Sequence, residues 1–313
     1  MQNNTDAFSQ NQRLGRGVNI IGYDPLWRSR AEARMQAKHF RLIKEAGFDH
    51  VRINLHPFEF MSDAPDYAIN PAWLETLDWA VAQTLDNDLI AILDMHEFTA
   101  MARDFAGLKA KYLAVWEQLA PRYQNTPDTV FFELLNEPNG ALTVALWNEF
   151  LIEPYNIVRR TNPARTLIIG PAFWNGIDYI EDLVLPEADR NIIVTVHYYH
   201  PMPFTHQGAP WSEFRDLSNV TWDGTPEEEQ AIARDLGTVQ AWAERQQRPI
   251  YLGEFGAYEK ADMASRARYT AALARHAESL GWSWSYWQFD SDFVVYDIDQ
   301  DRWVAPLLNA LIP

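Results

Sequence analysis

Eight segments with strand character alternate with eight of helical character along the 313-residue chain, and that order predicts a single (β/α)8 TIM barrel. Three observations carry the prediction. The strand segments are short, nearly continuous apolar runs, as parallel strands buried on both faces should be. No linker, low-complexity stretch or shift of composition divides the chain. Neither G-x-G-x-x-G nor G-x-x-x-x-G-K-[ST] occurs anywhere, so the phosphate loop that an open doubly wound sheet would need after its first strand is missing.

Residues 1–12 (MQNNTDAFSQNQ) are polar and read as a flexible tail, with 13–313 as the barrel domain. The first strand is 17–21 (GVNII). A helix over 31–46 follows, with Met35, Leu42, Ile43 and Ala46 at helical spacing and Gly47 as its C-terminal stop. Strand two, 50–56 (HVRINLH), leads to a helix capped by Asn70, with Pro71 in its first turn and Leu74, Leu77, Val81 and Leu85 on one face. Strand three, 89–96 (LIAILDMH), precedes an amphipathic run over 107–123. Strand four lies in 129–138 (TVFFELLNEP), β-branched and aromatic until it stops on Asn136, Glu137 and Pro138, and a helix covers 145–161. Strand five, 166–170 (TLIIG), has a short helix near 178–185. Strand six, 191–199 (NIIVTVHYY), is separated by a loop rich in Pro and aromatics from the Thr225-capped helix 226–246. Strand seven, 249–256 (PIYLGEFG), is followed by a helix over 262–280 ending at Gly281, then strand eight, 282–289 (WSWSYWQF), and a helix near 304–311. In strand eight Ser283 and Ser285 share parity with Trp287, so small residues face a narrow interior expected to exclude large side chains, while Trp282, Trp284 and Tyr286 face the helices.

Charge and composition narrow the ligand. A net charge of -17 argues against nucleic acid and anionic membranes, and points to a neutral or cationic ligand. No apolar run approaches a bilayer span. With no cysteine, disulfides, thiolate nucleophiles and Cys-ligated metals are excluded. Trp 13, Tyr 13 and Phe 16 exceed what an aliphatic core requires, and flat aromatic faces bind sugar rings.

Polar residues inside buried strands need a reason, and here they gather toward the C-terminal strand ends, where such barrels hold their active sites. Arg52, Asn54 and His56 share one face of strand two, Asp94 and His96 one face of strand three, and Glu133 and Glu137 one parity on strand four. His197 and Tyr199 lie on strand six and Glu254 late in strand seven. Glu137 and Glu254 can meet across the barrel mouth as the two carboxyl groups that glycoside hydrolysis requires. Arg52 and Tyr199 can keep one of them ionised. Glu133 and Asp94 lie deeper and read as satisfied interior carboxylates, and His56 reads equally as a core or a rim residue. Trp211 and Trp222 read as cleft walls rather than core.

LNEP at 135–138 and GEFG at 253–256, with VRIN, DMH, HYY and YW in the same order, resemble glycoside hydrolase family 5 from about residue 16 to 311. The segments HYYHPMPFTHQGAPW, PIYLGEFGAYEKADMASR and WSWSYWQFDSDFVVYD are similar to its branch of endoglucanases with glucanase and mannanase activities. The resemblance implies a retaining endo-β-1,4-glucanase without cofactor or metal, with Glu137 as acid/base and Glu254 as nucleophile. It also implies that Asn136 meets the sugar 2-hydroxyl and that Arg52 and Tyr199 neighbour the nucleophile. His96 and His197 would line the cleaving subsite, Trp287 would be its stacking platform, and His206 and Trp211 would border the cleft. Two departures fall on the rim. Glu97 stands where relatives often carry a second histidine, making it a candidate for sugar discrimination, and Gly22-Tyr23 replaces a common Gly-Asn. The expected partner is a β-linked polysaccharide or oligosaccharide. The alternatives are a mannanase, lichenase or xyloglucanase on the same machinery, or a sugar-binding barrel without turnover. A monomer is expected, secreted or periplasmic after loss of a leader, with the cytoplasm as the other possibility.

Metal motifs fail on their spacing. His96-Glu97 opens like H-E-x-x-H, but Ala100 takes the second histidine position. Asp297, Asp299 and Asp301 open like a calcium loop, yet Arg302 replaces its glycine and Leu308 its closing glutamate, leaving a solvated acidic turn.

Overall fold

The computed structural model of the protein describes residues 6–313. Its eight parallel strands are β1 (Arg16–Ile20), β2 (His50–Leu55), β3 (Ile90–Met95), β4 (Val130–Glu133), β5 (Leu167–Ile169), β6 (Ile192–His197), β7 (Ile250–Glu254) and β8 (Ser283–Tyr286). They close into a barrel in sequence order, β8 pairing back onto β1.

Helix signals in the sequence act where they were read. Gly47 ends the helix Ala37–Ala46 with φ 103, a conformation that costs glycine least. Asn70 accepts from the Ala72 N–H, and Thr225 forms a capping box with Glu228. Other boundaries move for local reasons. Residues 31–36 stay out of the first expected helix because the Asp24 carboxylate takes the N–H groups of Arg34 and Met35. The face of Pro71–Asp86 is rotated by about one residue toward Trp73, which stacks on Trp27 at 4.9 Å, and Leu74 and Leu85 are only partly buried. The run over 107–123 gains a preceding helix Phe98–Arg103, and 145–161 divides into Val144–Phe150 and Ile152–Thr161. A hairpin of Tyr296–Asp297 with Arg302–Trp303 carries the acidic turn, where Arg34 and Lys38 pair Asp299 and Asp301.

Inside the barrel Ile90, Ile92, Phe131, Ile168, Ile193 and Tyr251 form a core separate from the one under the helices. Two aromatic rings therefore do fit inside, contrary to the expectation of small residues only. Space comes from β1, where Gly17 faces the His50 ring so closely that a Cβ would lie 2.1 Å from it. His50 in turn bridges the Leu14 carbonyl and the Tyr251 hydroxyl. Ser283 and Ser285 point inward as read, to Asn11 and Asn19, and Trp284 and Tyr286 pack outward on Phe255. Trp222 is corrected from cleft wall to core: it is buried against Tyr269.

The polar tail is corrected in part. Residues 1–5 lie outside the described residues, but Ala7–Leu14 is a helix capped by Asp6. Its Ala7 and Leu14 join the interior core, and Asn11 donates to the Ile250 carbonyl, closing the end of the barrel opposite the site. Polar composition hid this because the buried stripe includes Gln10 and Asn11. Deleting residues 1–12 is expected to cost about 2–4 kcal/mol from lost burial and buried hydrogen bonds. Calorimetry should show Tm falling by roughly 3 to 6 °C with kcat retained.

Candidate active site

Arg52, wholly buried on β2, is the hub of the barrel mouth. Its Nε and Nη2 grip Glu133 from two sides at 2.7 and 2.8 Å, a fork that Lys could not copy. Nη1 donates to Glu254 and to Asn19, both at 2.8 Å, and Nη2 to Asn136 at 2.8 Å, with Asp94 at 3.2 Å. Glu133 is thus a satisfied interior carboxylate, as read, whereas Asp94 is satisfied only at Oδ2, its buried Oδ1 having no partner among the described residues. One cation carries three buried carboxylates, so each group's charge depends on the others.

Glu254 ends β7. Its Oε1 is held by Arg52, and its Oε2 accepts from the Tyr199 hydroxyl at 3.0 Å. Burial lifts its pKa to about 7 against the pull of Arg52 and the Tyr199 hydrogen bond. Tyr199 is pushed far above the usual phenol range by burial and by both glutamates, so it stays a donor.

Glu137 follows β4, in a turn where its own φ is 46. A left-handed non-glycine residue is costly and marks a position the surroundings enforce. The Asn139 amide holds the Glu137 carbonyl and the Trp174 N–H holds that of Pro138. His197 Nδ1 lies 2.8 Å from Glu137 Oε1 and 3.6 Å from Glu254 Oε2. Burial and Arg52 keep this imidazole neutral. Asn175 Nδ2 at 3.3 Å donates to Nε2, so Nδ1 carries the hydrogen and donates to Glu137. Burial and the charge of Glu254 drive Glu137 well above the usual carboxylate range, with Arg52 opposing. Of the two, Glu137 is the one that keeps a proton, because Arg52 and Tyr199 hold the charge of Glu254.

His96 gives Nδ1–H to Asp94 at 2.6 Å and meets the Asn136 amide at 3.5 Å through Nε2. Asn136 is therefore fixed with its oxygen on Arg52 and its N–H groups toward His96 and the cleft. The Trp287 ring lies parallel to His96 at 5.4 Å, forming one wall with it. His206 joins through Tyr199, ring to ring at 5.1 Å. Trp211 is exposed at the rim, in contact with Tyr258. Glu97 is not brought to this network: its Oε1 accepts the Phe58 N–H at 2.7 Å, and burial raises it to about 7. It fastens the loop after β2.

Sequence reasoning missed several residues here. Asn19, a polar residue in the apolar run GVNII, was a readable signal; it accepts from Arg52 and donates to Gly253, Ser285 and Tyr286. Asn175 and the exposed Trp174 gave none, since their placement rests on Phe173, Trp174 and Asn175 all having positive φ. Tyr23 was noted only as a departure, and its ring reaches His56 at 5.7 Å and Trp287 at 6.5 Å.

One ligand atom each from Glu137, His197 and Glu254 lies within 4.8 Å of the others. That spacing can grip a divalent cation. It also suits two carboxyl groups acting on one sugar carbon.

The comparisons agree on one family. Residues 11–292 match Cellulase (glycosyl hydrolase family 5). Endoglucanase H of Acetivibrio thermocellus is 29% identical over 98% of this chain, which spans 33% of that protein's length. Thermotoga maritima Cel5A, solved with mannotriose, is 38% identical, covers 98% of this chain and 100% of its own, and superposes with a TM-score of 0.93. Its structure with cellobiose gives the same identity, coverage and score. The chain belongs to glycosyl hydrolase family 5, the cellulase family.

Proposed function

We propose that the chain is a retaining endo-β-1,4-glucanase that cuts β-glucan by double displacement, with Glu254 as nucleophile and Glu137 as acid/base. The observation that carries this reading is the approach of oxygens from the two carboxylates to within 4.8 Å. An inverting enzyme leaves about 6.5–9.5 Å for a water, a retaining one about 5–5.5 Å. Glu254, ionised against Arg52, attacks the anomeric carbon. Glu137 gives its proton to the departing oxygen, and the glycosidic C–O bond breaks. Glu137 then takes a proton from water, which displaces Glu254 and restores the β configuration. His197 donates to one Glu137 oxygen, which leaves the other to carry the acid proton. A polymeric substrate that cannot enter cells favours a location outside the cytoplasm.

Reducing ends should appear from carboxymethylcellulose, and NMR of the first product should show the β anomer. An α anomer would overturn double displacement. EDTA should leave the rate unchanged, and loss of activity with chelator would instead assign the Glu137, His197 and Glu254 cluster to a metal. A second reading, mannan cleavage on the same machinery, is favoured by the likeness to Cel5A solved with mannotriose. Rates on a panel of soluble glucans and mannans decide between them.

A further inference from the structure

The loop after β5 reaches the catalytic acid by two routes. Phe173, Trp174 and Asn175 have φ of 55, 60 and 51, a run that non-glycine residues adopt only where their surroundings enforce it. The Trp174 N–H donates to the Pro138 carbonyl, next to Glu137. Gly176 forms a parallel bridge with His197, just where a register shift in β6 sets His197 opposite Glu254. Between these two ties the wholly buried Asn175 turns its amide onto the far side of the His197 ring. Two glycines leave room for the pair: a Cβ on Gly170 would lie 2.2 Å from Asn175 Oδ1, and one on Gly253 3.0 Å from His197 Nε2.

The neutral His197 ring has one hydrogen to place. Nδ1 lies 2.8 Å from Glu137 Oε1 and 3.6 Å from Glu254 Oε2, so a lone pair there would face two carboxyl oxygens, one of them charged. A hydrogen at Nδ1 is attracted by both. Nε2 is then an acceptor, and among the described residues its hydrogen-bond partner is Asn175 Nδ2 at 3.3 Å. Asn175 Oδ1 is buried with no partner among those residues, so the bond to Nε2 is the one hydrogen bond this side chain makes.

Resting on the glycosidase reading, we infer that Asn175 is a positioning residue for the acid/base: by donating to Nε2 it keeps the His197 hydrogen on Nδ1, and so keeps the Glu137 proton on the oxygen that faces the departing sugar. With the hydrogen on Nε2 instead, the lone pair of Nδ1 would draw the Glu137 proton to Oε1, away from the leaving oxygen. The partner that orients a catalytic imidazole sets its tautomer in the same way.

Asn175→Asp keeps the shape of the side chain and tolerates positive φ, but it puts an acceptor where the donor was and forces a hydrogen onto Nε2. The Glu137 proton then lies between Oε1 and Nδ1, whichever of the two holds it. Two substrates report the consequence. Cellotetraose needs the proton on its departing oxygen as the glycosidic C–O bond breaks, whereas the phenolate of dinitrophenyl cellobioside leaves without one. The ratio of kcat/KM for cellotetraose to that for the aryl substrate is expected to fall about 10- to 100-fold in N175D, a part of what a general acid supplies. Asn175→Gly, which suits the backbone and adds no charge, should lower the same ratio about two- to tenfold, the worth of one hydrogen bond. Nitrogen NMR of the His197 ring should show the hydrogen on Nδ1 in the wild type and on Nε2 in N175D. A ratio unmoved in both variants, as when both rates fall together because the loop only packs, overturns the proposal, and so does a hydrogen on Nε2 in the wild type. Failure of the glycosidase reading shows separately, as a wild type that cleaves neither substrate, and the ring spectra would still decide whether Asn175 sets the tautomer.

Discussion

Glu254→Ala is expected to abolish turnover of every substrate, whereas Glu137→Ala should keep attack on an aryl cellobioside whose leaving group needs no proton. The difference follows from what each carboxyl group does to the anomeric carbon. Without Glu254 no covalent intermediate forms, and Tyr199 and Arg52 lose the charge they hold. Without Glu137, polysaccharide turnover should fall by about 10²–10⁴, the range for general acid–base catalysis, but an activated aryl group departs unaided. The glycosyl-enzyme then accumulates because nothing activates water, and azide, which needs no base, should release it as β-cellobiosyl azide. Stopped-flow aryl release and NMR of the azide product read both steps. If azide instead rescues Glu254→Ala with β-azide from the β-substrate, the two roles are exchanged. Both variants should fold, since Arg52 keeps its two-sided grip on Glu133.

The barrel and its mouth were legible because their signals are local and their chemistry is strict. Asn136-Glu137-Pro138 ends a strand in any fold, and Arg52, Asp94 and Glu133 stand out in apolar runs because buried charge needs a partner. The readings that failed depend on tertiary contacts. Asp24 robbed the first helix of its start by binding N–H groups of the segment after it. Trp222 looked like a cleft residue because its loop is rich in Pro and aromatics, yet it packs on Tyr269 from the helix Met263–Ser279, far away in sequence. For Glu97, read as a sugar contact from its place next to His96, the sequence did not show that Oε1 accepts a backbone N–H on the loop after β2. The Ala7–Leu14 helix was missed since Gln10 and Asn11 serve buried carbonyl and hydroxyl groups that only a closed barrel supplies. Positive φ at Glu137 and at Phe173 to Asn175 is invisible in residue type, as none of these is glycine.

Arg52→Met should remove both stability and activity, and the loss of stability should grow with pH. In the native chain Arg52 offsets Glu133, Asp94 and Glu254, all of them wholly or almost wholly buried. Breaking such a group by deleting one partner costs about 3–5 kcal/mol, or roughly 5 to 8 °C in Tm for a chain of this size. Burial already raises the three carboxyl groups above their ordinary values, Glu133 and Glu254 to about 7, with Arg52 pulling the other way. Removing that pull raises them further in the folded state and leaves the unfolded values near 4. The folded variant then holds protons that the unfolded chain has released, so its stability falls as pH rises from about 4 toward the raised folded values. At about pH 5 the carboxyl groups are mostly protonated in the folded variant and the damage is small; at about pH 8 they must ionise in the core or unfold the chain. The same shift leaves Glu254 protonated where it should attack, so kcat should fall by about 10²–10³, as when one preorganised charge partner is lost. Thermal scans of wild type and variant at the two pH values read the difference directly. An equal drop in Tm at both would mean that Arg52 holds the barrel by packing rather than by charge, and the electrostatic account of the site would have to be abandoned.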